Sequence, residues 1–282
     1  MIKEIEYQDL KGCLEITNGD TRLIVPTVFG PRVLFYGFDE GENALGWHPA
    51  AAVETDLGTW KPYGGHRLWT APENMPVSYV PDNDPIEYGK DGEFSVRLLR
   101  PSDPRVGYRK EMTVTLDAEG SGVTLDHKIT NETSSAVNLS AWALSIMRPG
   151  GTVVIPNELF APYGPDSLLP VRSVSLWSYT DFTDPRWSFE KDAIRLRVDE
   201  HIHSQQKIGV QNKQGWASYE MDDLVFTKHA SLISDAVYPD MNSNFEVYTD
   251  GGFVEIESLS PLRDLEPGQY VEHRERWELT AR

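Results

Sequence analysis

The densest set of side chains able to do chemistry lies near the end of the chain, in Asn244-Phe-Glu246-Val-Tyr-Thr-Asp-Gly-Gly-Phe-Val-Glu255-Ile-Glu257. Apolar and acidic residues alternate there, and Asp250-Gly251 predicts a two-residue type I′ hairpin turn. That turn sets Val247 against Val254, Phe245 against Ile256, Glu246 against Glu255 and Asn244 against Glu257. A slip of one residue would mix apolar with acidic side chains, so the pattern supports the register. One face then carries Asn244, Glu246, Glu255 and Glu257 together. Directly opposed like charges destabilise a strand pair, and Glu has low strand propensity. The face is therefore either solvated or the floor of a cleft in which carboxylates bind hydroxyls or accept protons. Asp240, in the lead-in Tyr238-Pro-Asp-Met-Asn-Ser-Asn244, adds another oxygen ligand for hydroxyls. Asp240-x-Asn242-x-Asn244 begins like a calcium loop, but Phe245 occupies the glycine position and no Glu closes it.

A second cluster is Lys61-Pro-Tyr63-Gly64-Gly65-His66-Arg67-Leu-Trp69-Thr-Ala-Pro-Glu73. His66, Arg67 and Glu73 can hydrogen-bond hydroxyls, Tyr63 and Trp69 can stack on a ring, and the glycine pair permits close backbone approach. Lys207 and Lys228 fall on predicted strands and are either solvated or partners that lower the pKa of a buried Glu. His201-x-His203 lacks a third metal ligand. There is no Gly-x-Ser-x-Gly elbow or phosphate-binding glycine loop, and Cys13 stands alone. Neither a metal nor a cofactor is expected.

The elements that must position these residues read as strands. Short alternating runs bounded by Gly, Pro, Asn or Asp recur, among them Phe94–Leu99, Tyr108–Leu116, Gly122–Thr130, Ala136–Ile146, Lys207–Gln211 and Tyr270–Leu279. Many strands and few helices predict an all-β fold, a large antiparallel sandwich of two packed sheets occupying residues 1–282 as one domain. Glu40–Asp91 and Phe160–Asp192 show little alternation but are rich in aromatic and turn residues, which predicts ordered loops over a sandwich face. The 26 Lys+Arg against 44 Asp+Glu give a net charge of −18, which disfavours nucleic acid and anionic membranes as partners. One cysteine, no long apolar run and no signal-like N-terminus predict a cytoplasmic protein.

Val254-Glu-Ile-Glu257-Ser-Leu-Ser-Pro261, Leu265-Glu-Pro-Gly268 and Arg276-Trp-Glu-Leu279 resemble the end of an aldose 1-epimerase of the galactose mutarotase superfamily. Leu23-Ile-Val-Pro-Thr-Val-Phe-Gly30-Pro-Arg32-Val33 is similar to that family's opening strands, and Lys128-Ile-Thr-Asn131-Glu-Thr-Ser134 to its mid-chain strand. Gly64-Gly65-His66-Arg67-Leu-Trp69 resembles a motif of one mutarotase-like branch. The resemblance implies a supersandwich binding a small-molecule carbohydrate on one concave face, with Glu257 as the base in acid–base ring opening. The family's acid, a His in Asn-His-x-Tyr-Phe-Asn, has Ala141-Trp142 in its place, so His66 becomes the candidate acid and Trp142 a stacking residue. Two alternatives stand beside that reading: a catalytically silent sugar-binding protein, and a glycoside-cleaving enzyme using hairpin carboxylates.

Overall fold

The computed structural model describes residues 1–282, with strands throughout and one helical turn, Pro239–Asn242. A ten-stranded antiparallel sheet runs in the spatial order Glu87–Lys90, Ser95–Arg100, Tyr108–Leu116, Val123–Asn131, Tyr270–Ala281, Leu224–His229, Trp216–Glu220, Thr152–Pro156, Ala193–Arg197, Trp187–Phe189. The second sheet runs Val174–Leu176, Gln206–Val210, Phe245–Thr249, Val254–Leu259, Val137–Met147, His66–Ala71, Arg32–Val33, with Arg263–Leu265 paired to the start of Val137–Met147. A smaller four-stranded sheet is built from Ile2–Tyr7, Leu10–Thr17, Thr21–Pro26 and Phe35–Phe38. No helix is long and apolar enough to cross a membrane.

The main core joins the two large sheets. Phe245, Val247, Val254, Ile256 and Ile208 of the second sheet share one buried cluster with Met112, Val114, Leu125, Phe226 and Trp277 of the ten-stranded sheet. Tyr108–Leu116 alternates buried and half-buried positions, as a strand with one solvated face should. Val137–Met147 is instead buried from Leu139 onward on both faces. A second, smaller apolar cluster of Trp60, Trp69, Ala71, Trp142, Leu144 and Leu259 explains this, because it covers the outward face of the same sheet.

Two expectations are corrected. The carboxylate hairpin keeps its predicted faces but shifts register by two residues: Glu246 pairs with Glu257, Val247 with Ile256 and Tyr248 with Glu255. A shift of two preserves side-chain facing because the strand period is two. The connection is the longer loop Asp250-Gly-Gly-Phe253, in which the Thr249 hydroxyl donates to the Phe253 carbonyl at 2.6 Å and the Gly252 N–H donates to the Asp250 carboxylate at 2.9 Å. Gly251, not Asp250, takes the positive φ, at 97°, and a Cβ there would lie 1.9 Å from the Ile202 carbonyl oxygen. Glu40–Asp91, read as loop, contains the fully buried sheet strand His66–Ala71. Burial on both faces removes the alternation by which a strand is recognised.

Candidate functional site

Register across the second sheet brings side chains from five strands to its outward face. Lys207 lies opposite Tyr248, Glu246 opposite Glu257, Glu257 opposite Leu144, and Leu144 opposite Arg67. Above this floor, loops and the hairpin end contribute Trp60, Tyr79, Tyr179 and Phe253 to a cleft of about 600 Å³. A smaller concavity of about 450 Å³ on the outer face of the ten-stranded sheet carries charged side chains such as Glu111, Lys128 and Arg274 and no hydrophobic wall. The aromatic cleft is the better receptor for a ligand with apolar faces and polar edges.

The centre of the floor is a buried cation between two carboxylates. Lys207 Nζ lies 2.8 Å from Glu246 Oε2 and 3.1 Å from Glu257 Oε2. Trp142 Nε1 donates to that same Glu257 oxygen at 2.8 Å. The Lys207 ammonium also sits 4.6 Å from the Trp142 ring and 4.7 Å from the Trp177 ring, a cation–π sandwich. Gly209 stands on the strand position facing Glu246, and a Cβ there would come within 2.4 Å of the Ser243 hydroxyl. Glu257 Oε1 has no hydrogen-bond partner within the protein.

Burial alone would lower the Lys207 pKa, but Glu246 and Glu257 overcome it and hold the ammonium well above its ordinary value. Burial pushes both carboxyls up against the opposing pull of Lys207, Glu246 the more strongly because Glu257 stands opposite it. One ammonium serves two buried carboxyls, which therefore titrate together as a coupled pair. The expected lowering of a buried Glu by a lysine partner fails at Lys207, where desolvation wins, but holds at Lys228, which helps bring Glu275 well below the usual carboxyl range.

A second ion pair forms the neighbouring wall. Arg67 Nη2 donates to Glu255 Oε1 at 2.9 Å, and its guanidinium lies 4.6 Å from the Trp69 ring and 5.3 Å from the Trp60 ring. Arg67 Nε and Nη1 are buried and unpartnered. At the rim, Tyr79 donates its hydroxyl to Glu73 at 2.5 Å. Burial raises the Tyr179 phenol to about 12, so it remains an O–H donor at neutral pH.

Of the residues singled out from sequence, Arg67, Trp69, Glu73, Trp142, Lys207, Glu255 and Glu257 line this cleft. Glu246 lies beneath them, fully buried against Lys207. Four do not meet it. Asn244 is buried and binds the backbone of Asn212 through both ends of its amide. Asp240 offers its carbonyl to Ser175 and Ser243 in the helical turn. Tyr63 stacks on Phe29 at 4.0 Å, away from the cleft.

His66 is the largest correction. One residue from Arg67 on a strand, it points through the sheet into the core and is fully buried there. His127 Nδ1 donates to the His273 carbonyl at 3.1 Å, leaving its Nε2 to accept from His66 Nε2 at 2.8 Å. His66 Nδ1 then accepts from Ser145 at 2.9 Å. Burial drives His66 well below its usual pKa, so it stays neutral. Beside it, Glu275 is paired with Lys228 at 2.9 Å. His66 cannot exchange protons with Glu257, which faces the other side of the sheet.

Tyr79, Tyr179, Tyr248 and Trp60 also line the cleft and were not singled out from sequence. The aromatic content of the two long irregular segments was the signal for Trp60, Tyr79 and Tyr179, without indicating which rings turn inward, whereas Tyr248 shares the strand and face of Glu246.

No protein-family model and no curated protein sequence matches the chain. Among solved structures, it resembles a galactose mutarotase-like protein from Lactobacillus casei at a TM-score of 0.61 and 11% identity, over 95% of this chain and 100% of that one. A galactose mutarotase related enzyme from Lactobacillus acidophilus superposes at 0.60 with 7% identity, over 95% and 97% of the two chains. A candidate aldose 1-epimerase from Klebsiella pneumoniae gives 0.61 with 12% identity, over 99% and 82%. The chain therefore has the galactose mutarotase-like β-sandwich fold.

Proposed function

We propose that the cleft binds an unphosphorylated sugar and moves protons at its anomeric centre, with Glu257 as the base. The observation that carries this reading is Glu257 Oε1, a buried, unpartnered carboxylate oxygen on a side chain lining an aromatic-walled cleft. Lys207 and Trp142 fix the other oxygen, so the side chain is oriented and the free oxygen is left to accept a hydroxyl proton. Unpartnered Arg67 donors and the indole and phenol faces complement sugar hydroxyls and C–H surfaces. The lining sets Glu73, Asp250, Glu255 and Glu257 against Arg67 and Lys207, a balance that repels phosphates and uronates.

Ring opening also needs a proton at the ring oxygen. With His66 in the core, we assign this role to the Tyr179 hydroxyl, which lines the cleft and stays protonated at neutral pH, while the Tyr79 hydroxyl is already given to Glu73. In an anomer-exchange assay, Glu257→Gln should slow interconversion at least 100-fold and Tyr179→Phe about 10-fold or more, the range general acid–base groups contribute. Unchanged rates in Glu257→Gln would remove Glu257 from the reaction.

A second reading, sugar binding without turnover, is favoured by one observation: no histidine lines the cleft. Saturation-transfer signals from a sugar whose anomers exchange no faster than in buffer would select it. Glycoside cleavage needs two free carboxyls about 5–9 Å apart across the bond. Glu246 and Glu257 share Lys207, and Arg67 holds Glu255, so that reading loses its support.

A further inference from the structure

The strand Val174–Leu176 ends the second sheet and pairs on one side only, with Gln206–Val210. Leading into it is a loop from Asn157 that crosses between the two large sheets. Arg172 clamps the loop's base, bonding Asn157 at 3.0 Å and pairing with Glu158 at 3.1 Å. Ser167 organises its tip, accepting from the Gly164 N–H and donating to the Pro162 carbonyl, both at 2.9 Å. This braced arm displays apolar side chains to solvent: Leu159 is 94% exposed, Tyr163 93%, Leu169 81% and Leu168 63%. Phe160, Val171, Val174 and Leu176, nearby in the chain, are exposed as well.

Eight large apolar residues exposed on one arm and its adjoining edge exceed the singly scattered exposure normal for a monomer. Val174-Ser-Leu176 carries no lysine, proline or bulge, but at three residues it offers few edge hydrogen bonds, so the apolar arm must supply most of any contact. Charge points to the occupant. From Leu159 to Leu176 the only charged residues are Asp166 and Arg172, the latter already paired with Glu158, in a chain of net charge −18. Two such chains repel over most approaches and come together most easily through a neutral, apolar face.

We propose that this face is occupied by a second copy of the chain, the two Val174–Leu176 edges pairing antiparallel across a two-fold axis while the apolar arms pack against each other. An antiparallel strand pairs with its own copy under that symmetry without any second complementary surface, so the assembly closes at two.

Sedimentation equilibrium of the full chain tests this. The expected mass at micromolar concentration is twice the 31.9 kDa chain. Leu169→Asp and Leu176→Lys should each weaken the dimer at least 100-fold, with the melting temperature of the separated chain unchanged because both side chains are exposed. A monomer at 100-fold higher concentration would overturn the proposal. So would a dimer that neither substitution weakens, since another surface would then hold it.

Discussion

At the residue scale, the floor depends on one cation serving two carboxyls. Lys207→Met would leave Glu246 and Glu257 opposed in a dry site with no positive charge. Breaking a buried pair in this way costs about 3–5 kcal/mol, so chemical denaturation should show a loss of that size. A loss below about 1 kcal/mol would mean that the carboxyls simply take up protons. Glu257→Gln is gentler, because Lys207 keeps Glu246 at 2.8 Å, and folding should survive it. Residue types and spacing marked Glu257, Arg67 and Trp69 as sugar-site candidates, the family resemblance added Trp142, and all four line the cleft. They misplaced His66, because adjacent residues on a strand face opposite ways and the strand itself was hidden.

At the element scale, the sequence pattern reads best where one face is wet. Tyr108–Leu116 is legible for that reason, and His66–Ala71 is not, since the sandwich core covers one face and the tryptophan cluster the other. The hairpin's faces were legible from alternation, while its register depended on turn chemistry that Thr249 and Asp250 override with side-chain hydrogen bonds. Gly251 is the tight point of that loop. Gly251→Ala would combine a φ of 97° with a Cβ 1.9 Å from a carbonyl oxygen, and should cost about 2–3 kcal/mol in urea unfolding. A neutral result would show that the loop shifts freely, and with it the position of Glu255.

At the scale of the whole molecule, pH dependence follows from which buried groups stay neutral. Burial lowers His66 and His127, and brings His273 down to about 3. Below about pH 6.5 the unfolded chain binds protons at these sites that the native state does not, so their stabilisation is present above that pH and lost as pH falls. The Glu246–Glu257 pair acts oppositely: burial raises both carboxyls above the ordinary range, so proton uptake by the native pair favours folding more as pH falls. Three histidines outweigh it, and the urea midpoint should drop between pH 7 and 5 by an equivalent of about 1–2 kcal/mol per pH unit. Glu246→Gln should steepen the drop; a flat profile in the wild type would contradict the neutral-histidine core. The fold as a whole was legible because strand runs are spread along the entire chain, whereas the cleft depends on which loop aromatics turn inward. The central claim is that this cleft acts on a sugar's anomeric centre, and exchange NMR on a panel of unphosphorylated aldoses tests it most directly. At least one aldose should interconvert its anomers faster with the wild-type protein than in buffer and lose that acceleration with Glu257→Gln. No acceleration for any sugar, with no saturation transfer from the protein, would contradict it.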